Sequence, residues 1–281
     1  MIKTVEILRR CYGFEGYIHL KILPGAPFDC VEEGCKLASR VSLNMEAPTA
    51  EHLARLSSKK DLDRDIVERM RWIKQLMATD ERLLPSGQTT QFVVGAAGET
   101  DRDILHTTGA LYREIELRRV YFSAFRPVTG SPLERLSPAS PQREHRLYQA
   151  DWLLRIYGFS PQEIELALGE RGNLPLTKDP KLAIAQKQPW LFPVDVNRAS
   201  YDELLHVPGI GPLSARRIIE ARSEHSIFSL EQLKKMRVVT KRAASFIWFQ
   251  GMLTWEKQTS FLPQLDDDLA QQAPSLARLI G

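Results

Sequence analysis

The sequence predicts a parallel α/β unit followed by a smaller, all-helical one. Three observations point there. Short strand-like runs alternate with helical periods over residues 1–135, a dense run of Gly and Pro interrupts the chain between Gly172 and Pro193, and a Val-Pro-Gly-Ile-Gly turn then separates two helical patterns. With 281 residues, 43% of them hydrophobic and 26% charged, the chain has ordinary globular composition and room for two cores.

The strand candidates are Tyr17 to Leu23, Arg40 to Asn44, Thr89 to Val94 and Arg119 to Phe125. Each is rich in β-branched or aromatic residues and bounded by turn formers or polar clusters. Between the second and third, Asp61 to Ala78 repeats Ile66, Met70, Ile73 and Met77 at gaps of four, three and four, one apolar stripe of a helix. Asp101 to Glu114 starts after Thr100 and gathers Ile104, Leu105 and Leu111 on one side. Strand and helix in strict alternation imply right-handed crossovers and a parallel sheet or barrel. Ligands in such folds sit at the carboxyl ends of the strands. All four strand exits hold Gly or Pro, which turn chemistry explains; Glu46 and Glu99 stand there as candidate polar contacts.

A second helical region spans Arg143 to Leu168, with Leu147, Leu153, Leu154 and Ile156 as its apolar face. Gly172, Asn173, Pro175, Pro180, Pro189 and Pro193 then predict a linker or extended crossing, with a boundary near residue 190.

From Asp195 the sequence reads DVNRASYDELLHVPGIGPLSARRIIEAR. Ser200 suits a helix cap, Val207 to Gly211 a tight turn, and Pro212 the first position of the next helix. Gly209 and Gly211 are free to take positive φ and place no side chain between backbone amides and an anion. This segment closely resembles the helix-hairpin-helix motif: Val207, Gly209, Ile210, Gly211, Ala215 and Ile218 fill its pattern, with Ile210 plugging the space between helices. The resemblance implies a contact with the duplex DNA backbone through Pro208, Gly209, Ile210, Gly211, Ser214, Arg216, Arg217 and Lys241. Such amides touch phosphates, which look alike at every base pair, so sequence readout is not implied.

Residues Phe228 to Gly251 repeat the plan as a helix (Leu230 to Met236), a turn (Arg237 to Thr240) and a helix (Lys241 to Phe249). That turn has no glycine, and Val238 and Val239 disfavour positive φ, so the second hairpin is expected to pack rather than bind, in a five-helix unit. Net charge over the whole chain is only +3, yet His206 to Arg242 holds eight bases against three acids. The cationic signal is therefore local.

The N-terminal segments resemble the later strands of the radical S-adenosylmethionine fold. Phe92 to Leu105 (FVVGAAGETDRDIL) is similar to that superfamily's fifth-strand motif, Arg40 to Thr49 (RVSLNMEAPT) to its fourth strand, and Tyr121 to Glu134 (YFSAFRPVTGSPLE) to its sixth. With the hairpin tail, the order resembles a branch assigned to DNA modification or repair. This resemblance implies an incomplete parallel βα barrel, an S-adenosylmethionine site at Ser42, Asn44, Glu46, Gly95, Ala96, Gly98 and Glu99, and a [4Fe–4S] cluster in complete family members. The cluster's Cys-x3-Cys-x2-Cys loop and the first two strands are absent from the sequence, and Cys11, Cys30 and Cys35 lack that spacing. The expectation is the carboxyl portion of a longer enzyme, or a chain without the chemistry, that binds neither group competently by itself. The alternative is a non-catalytic scaffold that pairs an exposed sheet edge with a partner, either the missing N-terminal portion or a repair protein.

No apolar run reaches membrane-spanning length and the N-terminus lacks a secretory apolar region, so a cytoplasmic protein without membrane contact is expected. Odd, sparse cysteines fit a reducing compartment and packing roles. Asp266, Asp267 and Asp268 fall in a polar tail, the six histidines lack ligand spacing, and Trp248, Phe249 and Trp255 are assigned to the hairpin core. The expected division is 1–135 for the α/β unit, 136–192 for a helical extension and linker, 193–257 for the hairpin domain and 258–281 for the tail.

Overall fold

The computed structural model describes residues 1–249, in two compact units, Met1–Lys187 and Gln188 onward. Asp266 to Asp268, Trp255 and the tail lie outside the described residues.

In the first unit β1 (His19–Lys21), β2 (Arg40–Ser42), β3 (Gln88–Val94) and β4 (Arg119–Ala124) form one four-stranded sheet in the order β1-β2-β3-β4. All three pairings are parallel. Helix α1 (Ile2–Arg10) precedes the sheet, and the crossovers carry α2 (Phe28–Leu37), then α3 (Ala50–Leu56) and α4 (Glu68–Thr79), then α5 (Asp101–Ala110). The strands are shorter than their apolar runs: Tyr17 and Leu23 are exposed and unpaired in the ladder.

Side chains alternate across a strand, so one sheet face receives Leu20, Val41, Phe92, Val94, Val120 and Phe122, all in the core. Helices close onto that face. A Cβ on Gly34 of α2 would lie 3.1 Å from both Leu20 and Ile22, and the Gln88 amide donates to the carbonyls of Met70 (3.2 Å) and Ile115 (3.3 Å). The expected stripe is real: Ile66, Met70 and Ile73 are fully buried. Its first turn, Leu62–Val67, is π-helical. Thr100 starts α5 with a reciprocal cap, accepting from the Asp103 backbone while the Asp103 carboxylate accepts from Thr100.

Helix α6 (Pro141–Trp152) carries Leu147 and, in the π-helical turn after it, Leu153 into the core. Ile156 points outward at 45% exposure, against the expected apolar face. α7 (Pro161–Glu165) follows. The stretch read as linker contains a further helix, α8 (Pro180–Lys187), with Ala183 and Ile184 in the core. Pro180 opens this helix at a position where a missing N–H costs nothing, so proline here starts regular structure instead of breaking it.

The second unit comprises β5 (Val194–Asp195), α9 (Tyr201–His206), α10 (Pro212–Glu224), α11 (Leu230–Lys235), α12 (Thr240–Ala243) and β6 (Ile247–Trp248). The expected helix from Lys241 to Phe249 stops early. β-Branched and aromatic residues at its end pair instead as β6, parallel to β5, through Val194↔Ile247 and Asp195↔Trp248. Four α-helices thus stand among the described residues of this unit where five were expected, and Trp248 is 40% exposed rather than core. Phe249 is buried.

Candidate nucleic-acid interface

The hairpin is built from its caps inward. Ser200 and Glu203 form a reciprocal cap on α9, and the backbone and hydroxyl hydrogen bonds from Ser200 hold the Glu203 carboxyl below its usual range. Leu204 and Leu205 are buried; Val207 N–H donates to Leu204 (3.2 Å) and Ile210 N–H to Val207 (3.1 Å), closing the turn. Ile210 is buried at 1% exposure, as are Ala215 and Ile218. Pro208 is buried with them.

The two glycines differ. Gly209 has φ +91, but Gly211 is extended at φ −108, so only the first needs the left-handed region. A Cβ on Gly209 would stand 2.6 Å from the Val239 carbonyl oxygen, and Val239 N–H donates back to Gly209 at 2.9 Å. Ser214 adds a second tie, its hydroxyl donating to the Arg237 carbonyl at 3.0 Å. The glycine-free second turn is thereby locked against the first, the packing role anticipated for it.

What this leaves is a set of donors at the helix start. α10 starts at Pro212 without a side-chain cap, and the first bond into it is Ala215 N–H to Gly211 (2.8 Å). The amides of Gly211, Leu213 and Ser214 therefore have no acceptor among the described residues, the normal state of a helix start and its positive dipole end. Arg216 and Lys241 are exposed and Arg217 half-buried, and none of the three enters an ion pair among the described residues. Lys241 belongs to α12, whose next residue, Arg242, has its Cβ 3.1 Å from the position a Gly209 Cβ would take. Cations of both hairpins thus border one set of amides.

A family model of the helix-hairpin-helix motif matches residues 193–245. The match supports nucleic-acid binding by this unit. Among curated proteins and solved structures, none matches the chain. No helix of the described residues is long and apolar enough to cross a membrane.

The strand exits form a separate assembly in the first unit. Glu46 sits at φ +66 with its carboxylate 3.7 Å from Lys60, and its backbone continues the sheet to Gln91 and Val93. Gly95 has φ +90, and a Cβ there would lie 2.7 Å from the Ala139 Cβ. The Glu99 side chain is fully buried and accepts from the amides of Gly95 and Ala97, while Arg143 bonds the Glu99 carbonyl (2.8 Å) and Asp101 (2.7 Å). Glu99 accordingly shapes its own loop and offers no carboxylate outward. Ala96 is buried, Gly98 is exposed, Ser42 is buried and Asn44 half-buried. Beside this loop a cleft of about 500 Å³ opens at the carboxyl ends of β3 and β4, lined by Val93, Ser123 to Arg126, Pro141 and Glu144. The sequence did not single out Ser123, Arg126 or Glu144; their signal was their place at a strand's end.

The thiols do not fit an iron–sulfur cluster. Cys35 is buried in α2, where burial pushes its thiol up to about 12, while Cys11 and Cys30 are exposed. No group of three or more His, Cys, Asp or Glu among the described residues is disposed to hold a metal.

Proposed function

We propose that this chain binds the backbone of double-stranded DNA through the first hairpin. Pro208 and Ile210 shape the turn, the amides of Gly211, Leu213 and Ser214 meet phosphate oxygens, and Arg216, Arg217 and Lys241 neutralise the neighbouring phosphates. The observation that carries this reading is the uncapped start of α10, bordered by cations that no acid among the described residues engages. Binding to a duplex, followed by fluorescence anisotropy between low and physiological salt, tests it. The doubly substituted Arg216→Gln, Arg217→Gln chain should bind all sequences more weakly, with a log–log salt slope shallower by about 2. An unchanged slope removes the hairpin from the interface.

The resemblance of the strand exits extends the proposal to the first unit, as a part of a radical S-adenosylmethionine enzyme of DNA modification or repair. What supports it is the position and size of the cleft, within the range of small-molecule sites. Asn44, Glu46, Gly98 and the cleft wall at Ser123 would hold the cofactor; Ser42, Gly95, Ala96 and Glu99 would support them from behind. The cofactor, when bound, supplies an adenosyl group for radical chemistry, but without a fitting cluster no radical step follows from these residues. Equilibrium dialysis should show S-adenosylmethionine bound by the chain and excluded by Ser123→Trp, with no iron-dependent cleavage after anaerobic reconstitution. A chain that binds DNA but not S-adenosylmethionine is the non-catalytic scaffold, a reading favoured by the exposed His19 and Lys21 on the outermost strand β1.

A further inference from the structure

Parallel sheets are usually apolar on both faces, because both are covered. The face of this sheet opposite the helix-packed core is polar. Register places Lys21, Ser42, Thr89 and Arg119 in a straight row, one residue from each strand. Alternation turns that row away from Leu20, Val41 and Val120, which are in the core. The row consists of two cations flanking two hydroxyls.

Two of its polar atoms are anomalous: Thr89 Oγ1 and Arg119 Nε are buried and have no hydrogen-bond partner among the described residues. Thr89 as a whole is only 1% exposed. A buried donor left unmade costs about 1–3 kcal/mol, and two on adjacent strands in one row call for a common acceptor. The guanidinium is held in place by aromatic rings, 4.7 Å from the Tyr121 centroid and 5.7 Å from that of Tyr148. Its N–H groups are thereby positioned without a carboxylate consuming them.

The next row on this face is also basic. One register step toward the amino end, His19 stands beside Arg40. Burial and then the charges of Arg40 and Lys21 lower the His19 pKa. No Asp or Glu shares either row. One step the other way, about 7 Å along the strands, Gln91 lies opposite Tyr121, an amide and a ring of the kind that meet a base edge and a base face.

We propose that this row binds the phosphate of a nucleotide. Lys and Arg are donors only and each hydroxyl can turn its O–H toward a tetrahedral anion, so that Thr89 Oγ1 and Arg119 Nε gain the partner they lack. The site is separate from the hairpin and does not depend on it.

Isothermal titration of the full chain with inorganic phosphate and with deoxyadenosine monophosphate tests the proposal. Both should saturate, and Thr89→Val and Arg119→Gln should each weaken the nucleotide about tenfold. Because Thr89 Oγ1 has no partner among the described residues, Thr89→Val should keep or raise Tm while losing affinity, which a merely structural hydroxyl would not do. In the Arg216→Gln, Arg217→Gln chain the titration should be unchanged. Displacement of the nucleotide by single-stranded oligodeoxythymidylate in that background would assign the phosphate to a strand, and failure to displace it, to a free nucleotide. Absent saturation, affinity indifferent to both row substitutions, or binding lost with the hairpin arginines would overturn it.

Discussion

Gly209 shows how a single missing methyl sets the hairpin. Two demands converge on it, a left-handed φ of +91 and the Val239 carbonyl 2.6 Å from where a Cβ would be. Gly130 separates them, since it has φ +79 with nothing within 4 Å. Alanine at Gly130 should cost about 1 kcal/mol, the left-handed penalty alone. Gly209→Ala should cost about 2–4 kcal/mol, because backbone oxygen must also retreat from the new atom. Urea denaturation of the two variants gives the difference, and equal losses would mean that the close approach carries no energy. The glycine's turn role was legible from its neighbours in sequence. Its contact with Val239 was not, because Val239 lies thirty positions on and nothing local records which carbonyl folds back.

Elements were readable where pattern and cap agree. β3 and α5 lie close to their expected spans because a β-branched run, a glycine exit and a Thr100 cap all point the same way. α8 escaped notice since Pro180 reads equally as a breaker and as a first helical residue, and only burial of Ala183 and Ile184 decides between them. The end of the second hairpin failed for the reverse reason: Ala243 to Phe249 continues a helical rhythm, but β5 offers Ile247 and Trp248 a ladder that a local pattern cannot announce. The candidate site divides in the same way. Amides at the start of α10 follow from the Pro212 signal, whereas the anchoring of the Glu99 carbonyl depends on Arg143, 44 residues away. Equally hidden was the polar row on the sheet, which exists only once register sets four distant residues abreast.

At the scale of the whole molecule, each unit has its own core, and the two proposed phosphate-binding sites fall one in each. A ligand stabilises the fold it binds by RT ln(1 + [L]/Kd), about 2.7 kcal/mol at a hundredfold excess over Kd. Duplex DNA held by the hairpin should therefore raise the melting of the second unit, and inorganic phosphate held by Lys21, Ser42, Thr89 and Arg119 that of the first. Hydrogen exchange during a temperature ramp resolves the two, with amides of β3 and α10 as separate reporters. Thr89→Val should cancel the phosphate shift in β3 and leave the DNA shift in α10 intact; the Arg216→Gln, Arg217→Gln chain should do the opposite. Crossed responses, with phosphate protecting α10 in preference to β3, would place both anions on the hairpin and leave the orphaned donors of the sheet without a ligand.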